Sequence, residues 1–297
     1  MQKLLLYSVL VFGIAGCLNL DDNLHNKSKL TEYKLDNYDG EVDFRLDTSY
    51  TIADSLTHLF TLNSKAPDES EATTIYAVYI GEMSKIATDT VIMYCHGNKD
   101  HMDFYWQRAK LLANTRGKNH YGVLMVDYRG YGMSEGKPTE AGLYADVDAA
   151  LSWLKGKGLN DSRLMIYGFS MGGAPATKMS ADSYSLKPSK LILEAPFASS
   201  ETMIQDGSGL AMPGGFFTTL KINNGEKIKS VTQPFCWIHG EEDDFLNINT
   251  HGSVIFENHK GVYKEAHRIP KADHSDVPQT IGFQNYLKII GDFIVKK

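Results

Sequence analysis

The sequence predicts an α/β protein in which a mostly parallel sheet carries helices on both faces. Three observations predict it. Short runs that are almost wholly apolar recur between residues 89 and 240, as strands buried on both faces require. Segments with helical periodicity alternate with these runs, the order that a parallel sheet with crossover helices needs. The chain is 297 residues long and 42% hydrophobic, enough for one sizeable core and short for two domains of usual size.

From about Gly40 the elements follow in order. THLFTLNS (57–64) and TIYAVYIGE (74–82) read as antiparallel strands near an edge. DTVIMYCHG (89–97) is a strand buried on both faces, and a helix over 103–115 sets Trp106, Ala109, Leu111 and Leu112 on one side. GVLMVDYRG (122–130) is another buried strand. In 139–158, Leu143, Val147, Ala150, Leu151 and Leu154 recur every three or four residues, the spacing of an amphipathic helix that Gly156 and Gly158 end. Ser134 or Thr139 is placed to open that helix, with Glu140 favoured at its N-terminus. Then come strand RLMIYG, a helix over 171–181, strands KLILEAP and PFCWIHG, a helix near 250–259, strand EAHRIP and a final helix near 280–295. Sheets of this kind bind ligands at the carboxyl ends of their strands.

Composition narrows the partners. The chain has 30 basic and 36 acidic residues, a net charge of −6, with no basic run or basic–aromatic patch, which argues against nucleic acid. The first 17 residues stand apart: Lys3, an apolar run over 4–15, then Gly16-Cys17. The run is shorter than the roughly 20 residues a membrane span needs and has the proportions of a secretory signal. Ile14-Ala15-Gly16-Cys17 resembles a bacterial lipoprotein box, in which the chain is cut before the cysteine and the cysteine takes lipid. The expected organisation is a signal peptide over 1–16, a polar tether over 17–39 and a catalytic domain over 40–297, with Cys17 anchoring the protein to a membrane of the bacterial cell envelope. Cys95 and Cys236 then remain; they read as buried free thiols, and neither has metal-ligand spacing.

The chemistry gathers at the predicted strand ends. In IYGFSMGGAPA, Ser170 stands between Gly168 and Gly172 where a strand runs into a helix, the setting of a G-x-S-x-G nucleophile elbow. Glycines give the strained turn its space, and the following helix directs its amides at the site. A serine needs a base. Of the histidines beyond PFCWIHG, His251 and His259 read as helical and His267 lies in a strand. His274, in the loop before the last helix, is the general base. The acid belongs just after the preceding strand, where Glu241, Glu242, Asp243 and Asp244 are available. The oxyanion donors are the amide of Met171 and an amide of the YCHGNKD loop, Asn98 with Gly97 as fallback, while His96 is a structural anchor. Residues 127–151 read as scaffolding near the site.

His96-Gly97-Asn98, the DYRGYGMSEGKPTEAGLYADV block, YGFSMGG, LEAPF, HGEEDD and His274 together resemble the α/β-hydrolase superfamily, in particular a compact branch of serine-aminopeptidase-like esterases and thioesterases. The resemblance implies an eight-stranded, mostly parallel sheet, acyl-enzyme chemistry and no cofactor. It selects Asp243 as the acid, through the pattern H-G-x-x-D, with Asp244 the runner-up. The family often carries a proline about four residues past the acid; Asn247 and Ile248 stand there instead, which loosens the expected loop shape.

A short cap is expected over about 198–230, with Met212, Phe216 and Phe217 lining an acyl pocket or, equally, burying a surface helix. The expected function is a serine hydrolase of small acyl esters or thioesters acting through Ser170, His274 and Asp243. A peptidase on the same triad is the alternative, and a non-enzymatic binding protein a remote one, since no triad member is missing.

Overall fold

Strands β1 (Thr57–Ser64), β2 (Thr73–Ile80), β3 (Val91–Cys95), β4 (Gly122–Val126), β5 (Leu164–Phe169), β6 (Lys190–Glu194), β7 (Phe235–Gly240) and β8 (Lys264–Ile269) form one sheet in the order β1-β2-β4-β3-β5-β6-β7-β8. The structure, a computed structural model, describes residues 26–208 and 218–296. β2 runs antiparallel to β1 and β4, and every pairing from β4 to β8 is parallel. The mostly parallel α/β sheet is therefore as the sequence predicts, and its eight strands are as the resemblance implies.

The side-chain alternation of the central strands divides the core in two. Met93 and Cys95 of β3, Leu124 and Val126 of β4 and Ile166 of β5 face one layer, with α2 (Glu140–Gly156) and α3 (Gly173–Ala181). Ile92, Tyr94, Val123, Met125, Met165 and Tyr167 face the other, with α1 (Met102–Ala113) and the helices at the chain's end. Thr139 caps α2 by accepting the Gly142 amide at 3.0 Å, whereas the Ser134 hydroxyl donates to the Asp127 carbonyl at 2.7 Å and braces the loop before it.

Three boundaries differ from expectation. The helix expected over 171–181 opens with a 3₁₀ turn, Ser170–Gly172, before α3. The final helix is two, α7 (Val277–Ile281) and α8 (Phe283–Val295), because Gly282 at φ +80° breaks the ladder between them. The polar segment over 17–39 is not a free tether from residue 26 onward. Lys27 and Lys29 bridge Asp100 and Gly132, Tyr33 donates to Asp127 at 2.6 Å, and the amides of Lys34 and Leu35 both donate to Asp103 at 2.9 Å. Lys29 Nζ also donates to the Ser134 carbonyl at 2.7 Å and Asp36 pairs with Lys110; polarity concealed this docking because backbone groups and polar side chains make its contacts. Residues 1–25, on which the expected lipoprotein signal and Cys17 fall, lie outside the described residues.

The insert expected as a cap begins with α4 (Ser200–Ser208) and returns through α5 (Asn224–Lys227). Its base is pinned by the Ser199–Asn223 bridge and by the Ser200 amide on the Ile222 carbonyl at 3.0 Å. Met212, Phe216 and Phe217 lie outside the described residues. α6 (Gly252–Asn258) completes the helices between β7 and β8, with His251 and His259 at its two ends. Among the described residues, no helix is long and apolar enough to cross a membrane.

Candidate active site

Ser170 follows directly on β5, at φ +52°. An L-residue adopts that left-handed conformation only where its surroundings hold it there. The elbow's glycines are required by close approach. A Cβ on Gly172 would lie 2.0 Å from the Cys95 carbonyl oxygen, and one on Gly168 would lie 2.6 Å from the Gly172 carbonyl oxygen. Both obstacles are backbone at the end of β3 and in the turn itself, so no side-chain rotation relieves them. Gly172→Ala is therefore expected to cost about 1–3 kcal/mol of stability and to depress kcat as Ser170 shifts, measured by thermal melts and by turnover of a soluble ester.

The loops after β7 and β8 carry two more side chains to this point. His274 Nε2 lies 3.0 Å from Ser170 Oγ, and His274 Nδ1 lies 2.8 Å from Asp243 Oδ2. Asp243 is buried, and its Oδ1 accepts the amides of Phe245 at 3.0 Å and Leu246 at 2.7 Å. The neighbouring Asp244 is exposed, its amide donating to Asp273 at 3.3 Å. Burial alone would push the Asp243 carboxyl up; hydrogen bonds from His239 and His274, the His274 charge and the Leu246 amide outweigh it and hold the group well below the usual carboxylate range. The loop without proline thus closes around its own carboxylate by backbone hydrogen bonds.

Asn98 lies in the loop after β3, and Met171 follows Ser170 in the 3₁₀ turn. Tyr131 links them: its hydroxyl lies 2.7 Å from Asn98 Oδ1 and 3.9 Å from Met171 Sδ. Asn98 Oδ1 also accepts the Asn26 amide at 3.0 Å, so the docked N-terminal segment reaches this loop. His96 is fully buried, with Nδ1 2.7 Å from the Gly97 carbonyl and its ring against Tyr105 and Tyr128. That is the environment of an anchor. The first turns of α3 set helix amides beside the serine, where developing negative charge is favoured.

Several contributors are absent from the sequence reading. Phe245, 54% exposed, stands edge-on to the His274 ring at 5.0 Å between centroids. Its position next to the acid pair was the available signal. Arg108 is fully buried on α1. Its Nε donates to Asp43 at 2.7 Å, Nη1 to Glu194 at 2.7 Å and Nη2 to the Ser275 carbonyl at 3.2 Å, beside the base. Its guanidinium also lies 4.3 Å from the centroid of the Phe169 ring, which packs on His274. Nothing local in DFYWQRAKLL marks this arginine. His251, pushed down to about 4 by burial, accepts the Ala198 amide at 3.1 Å and ties the cap base to the acid loop.

Metal-binding atom types come within 4.8 Å of one another at Cys236, Glu265 and His267. The cluster lies near the starts of β7 and β8, away from the ends that carry the site, and Lys296 Nζ is already 2.9 Å from Glu265 Oε2.

A serine, an imidazole and a carboxylate hydrogen-bonded in series at the carboxyl ends of a parallel sheet define the α/β-hydrolase class by fold and arrangement. The comparisons agree. The family model described as "Serine aminopeptidase, S33" matches residues 87–233. A putative alpha/beta hydrolase of Acanthamoeba polyphaga mimivirus is 32% identical over 68% of this chain and 73% of its own length. The chain belongs to the α/β-hydrolase superfamily. Alpha/beta hydrolase domain-containing protein 17B of Xenopus laevis is 29% identical over 69% of this chain, which spans 66% of that relative's length. An esterase of Pyrococcus furiosus shares the fold, with a TM-score of 0.64 at 19% identity, over 89% of this chain and 98% of that one.

Proposed function

We propose that the chain is a serine hydrolase that cleaves carboxylic esters or thioesters through an acyl-enzyme. The observation that carries this reading is the continuous hydrogen-bonded series from Ser170 Oγ through His274 to Asp243, at 3.0 and 2.8 Å. Ser170 Oγ attacks the acyl carbon while His274 Nε2 takes its proton. Asp243 fixes the tautomer with the proton on Nδ1 and stabilises the imidazolium that forms. The amides of Met171 and Asn98 hold the oxyanion. His274 then returns the proton to the leaving alcohol or thiol. Water, activated by the same imidazole, releases the acid. Phe245, exposed beside the base, offers an apolar face to the acyl chain.

The membrane association read from the first 17 residues belongs to the same proposal. Lipid on Cys17 would anchor the protein to a membrane of the bacterial cell envelope. Metabolic labelling with a radioactive fatty acid checks it: label is expected on the native chain and lost in Cys17→Ser.

The matching family model's description favours one alternative, a peptidase acting through the same three residues. Purified protein begun after Cys17 separates the readings when offered a chain-length series of esters and thioesters beside aminoacyl anilides. Ester or thioester turnover with a burst of the first product, and no anilide cleavage, is the expected outcome. Anilide cleavage with idle esters would replace the proposal by the peptidase.

A further inference from the structure

Asp243 receives two imidazoles on one oxygen. His274 Nδ1 lies 2.8 Å from Oδ2, and His239 Nε2 lies 3.0 Å from the same atom. His239, the histidine of H-G-E-E-D, points inward from β7 and is fully buried. Its other nitrogen is also occupied. Trp237 Nε1 lies 3.2 Å from His239 Nδ1, and an indole nitrogen can only donate. His239 Nδ1 is therefore an acceptor and carries no proton. The ring's proton sits on Nε2, which donates to Asp243 and is shared with the Leu246 carbonyl at 3.0 Å. The tautomer thus follows from the indole.

We propose that His239 is a positioning residue: a neutral donor, locked in one tautomer by Trp237, that holds Asp243 for His274 and tempers the charge on Oδ2, so setting the basicity of the general base. This rests on the reading of Ser170, His274 and Asp243 as a triad. Two donors on one carboxylate oxygen share its electron density. With both in place, Asp243 stays ionised in a buried site, consistent with the depressed carboxyl described above. With His239 gone, Oδ2 faces His274 alone. It then stabilises the imidazolium more strongly, and the base takes up its proton at higher pH.

Other charges face the pair and are unchanged by a substitution at 239. Asp273 accepts the His274 amide at 2.6 Å and Asp276 braces Asp273 at 2.7 Å. On the cap side, Asp206 lies 3.4 Å from His251. Behind the base are Arg108 with Asp43 and Glu194. A shift seen only on changing His239 or Trp237 therefore reports the shared oxygen.

The test compares His239→Phe, which keeps the ring bulk and removes the donor, with His239→Gln, which restores a donor, and Trp237→Phe, which frees the tautomer. Each is read by the pH profile of kcat/KM on a soluble ester and by thermal melting. His239→Phe is expected to move the acid limb up by about 0.5 unit or more and to lower kcat by about 10–100-fold. His239→Gln is expected to return the limb towards wild type, with Trp237→Phe between the two. In wild-type protein, ¹⁵N NMR of the imidazoles at neutral pH is expected to show His239 with a bare Nδ1 and a protonated Nε2, a readout that stands even where a variant does not fold. An unshifted limb in His239→Phe, an equal shift in His239→Gln, or a protonated Nδ1 overturns the inference while leaving Ser170-dependent turnover intact. Wild-type protein without Ser170-dependent turnover overturns the triad itself.

Discussion

Ser170→Ala lowers kcat on a para-nitrophenyl ester by about 10⁴–10⁶-fold with little change in melting temperature. The change removes one oxygen and leaves the turn in place. Residue 170 keeps its φ of +52°, since the constraint comes from the backbone of Cys95 and Gly172 pressing together around it. On the proposed mechanism the amides of Met171 and Asn98 remain to hold the oxyanion, which accounts for the residual rate above water. The measurement is steady-state turnover of purified variant beside a thermal melt. A loss of less than tenfold would mean that attack on the acyl carbon does not begin at this oxygen.

Arg108→Met destabilises the protein by about 3–5 kcal/mol at neutral pH, a fall in melting temperature of roughly 10 °C. The substitution nearly conserves volume and strands two buried carboxylates. Asp43 and Glu194 lose their shared cation, and the Ser275 carbonyl loses its donor one residue from the base. Arg108→Lys keeps a charge but not a planar fork that reaches Asp43, Glu194 and Ser275 together, so it rescues only in part. The pH dependence has a definite sign. Burial already pushes the Asp43 carboxyl up, with Arg108 opposing. Removing the arginine raises the folded-state value of Asp43 further above the unfolded one. A raised carboxyl contributes stability below its unfolded value and loses it as pH rises through the folded one. The deficit of Arg108→Met relative to wild type is therefore largest at neutral pH and shrinks as pH falls towards 5, as chemical denaturation at stepped pH would show. Turnover falls too, because the loop that carries His274 is no longer tied to α1.

What the sequence reveals of this architecture is what local patterning can encode. β3, β4, β5 and β7 announce themselves because burial on both faces leaves no polar alternation, and the elbow announces itself because backbone crowding at Gly168 and Gly172 admits no side chain. His274 was legible by its place in a loop after the last strand, and Asp243 only through a family pattern; burial and two backbone amides distinguish it from the exposed Asp244. The Arg108 network was not legible, since Asp43, Glu194 and Ser275 are brought to it from segments far apart in the chain. Nor was the pairing of His239 with Asp243, which depends on how the chain turns after β7. The docking of residues 26–39 was hidden because its donors and acceptors are backbone groups and polar side chains, whose partners composition does not record. The break at Gly282 was concealed by apolar periodicity that continues through it.

The most direct test of the central claim is the site of covalent modification by a fluorophosphonate. Intact-mass and peptide analysis of the labelled protein is expected to show a single adduct on Ser170, slowed when His274 is replaced and absent in Ser170→Ala. An adduct on another residue, or equal labelling of wild type and Ser170→Ala, would contradict it.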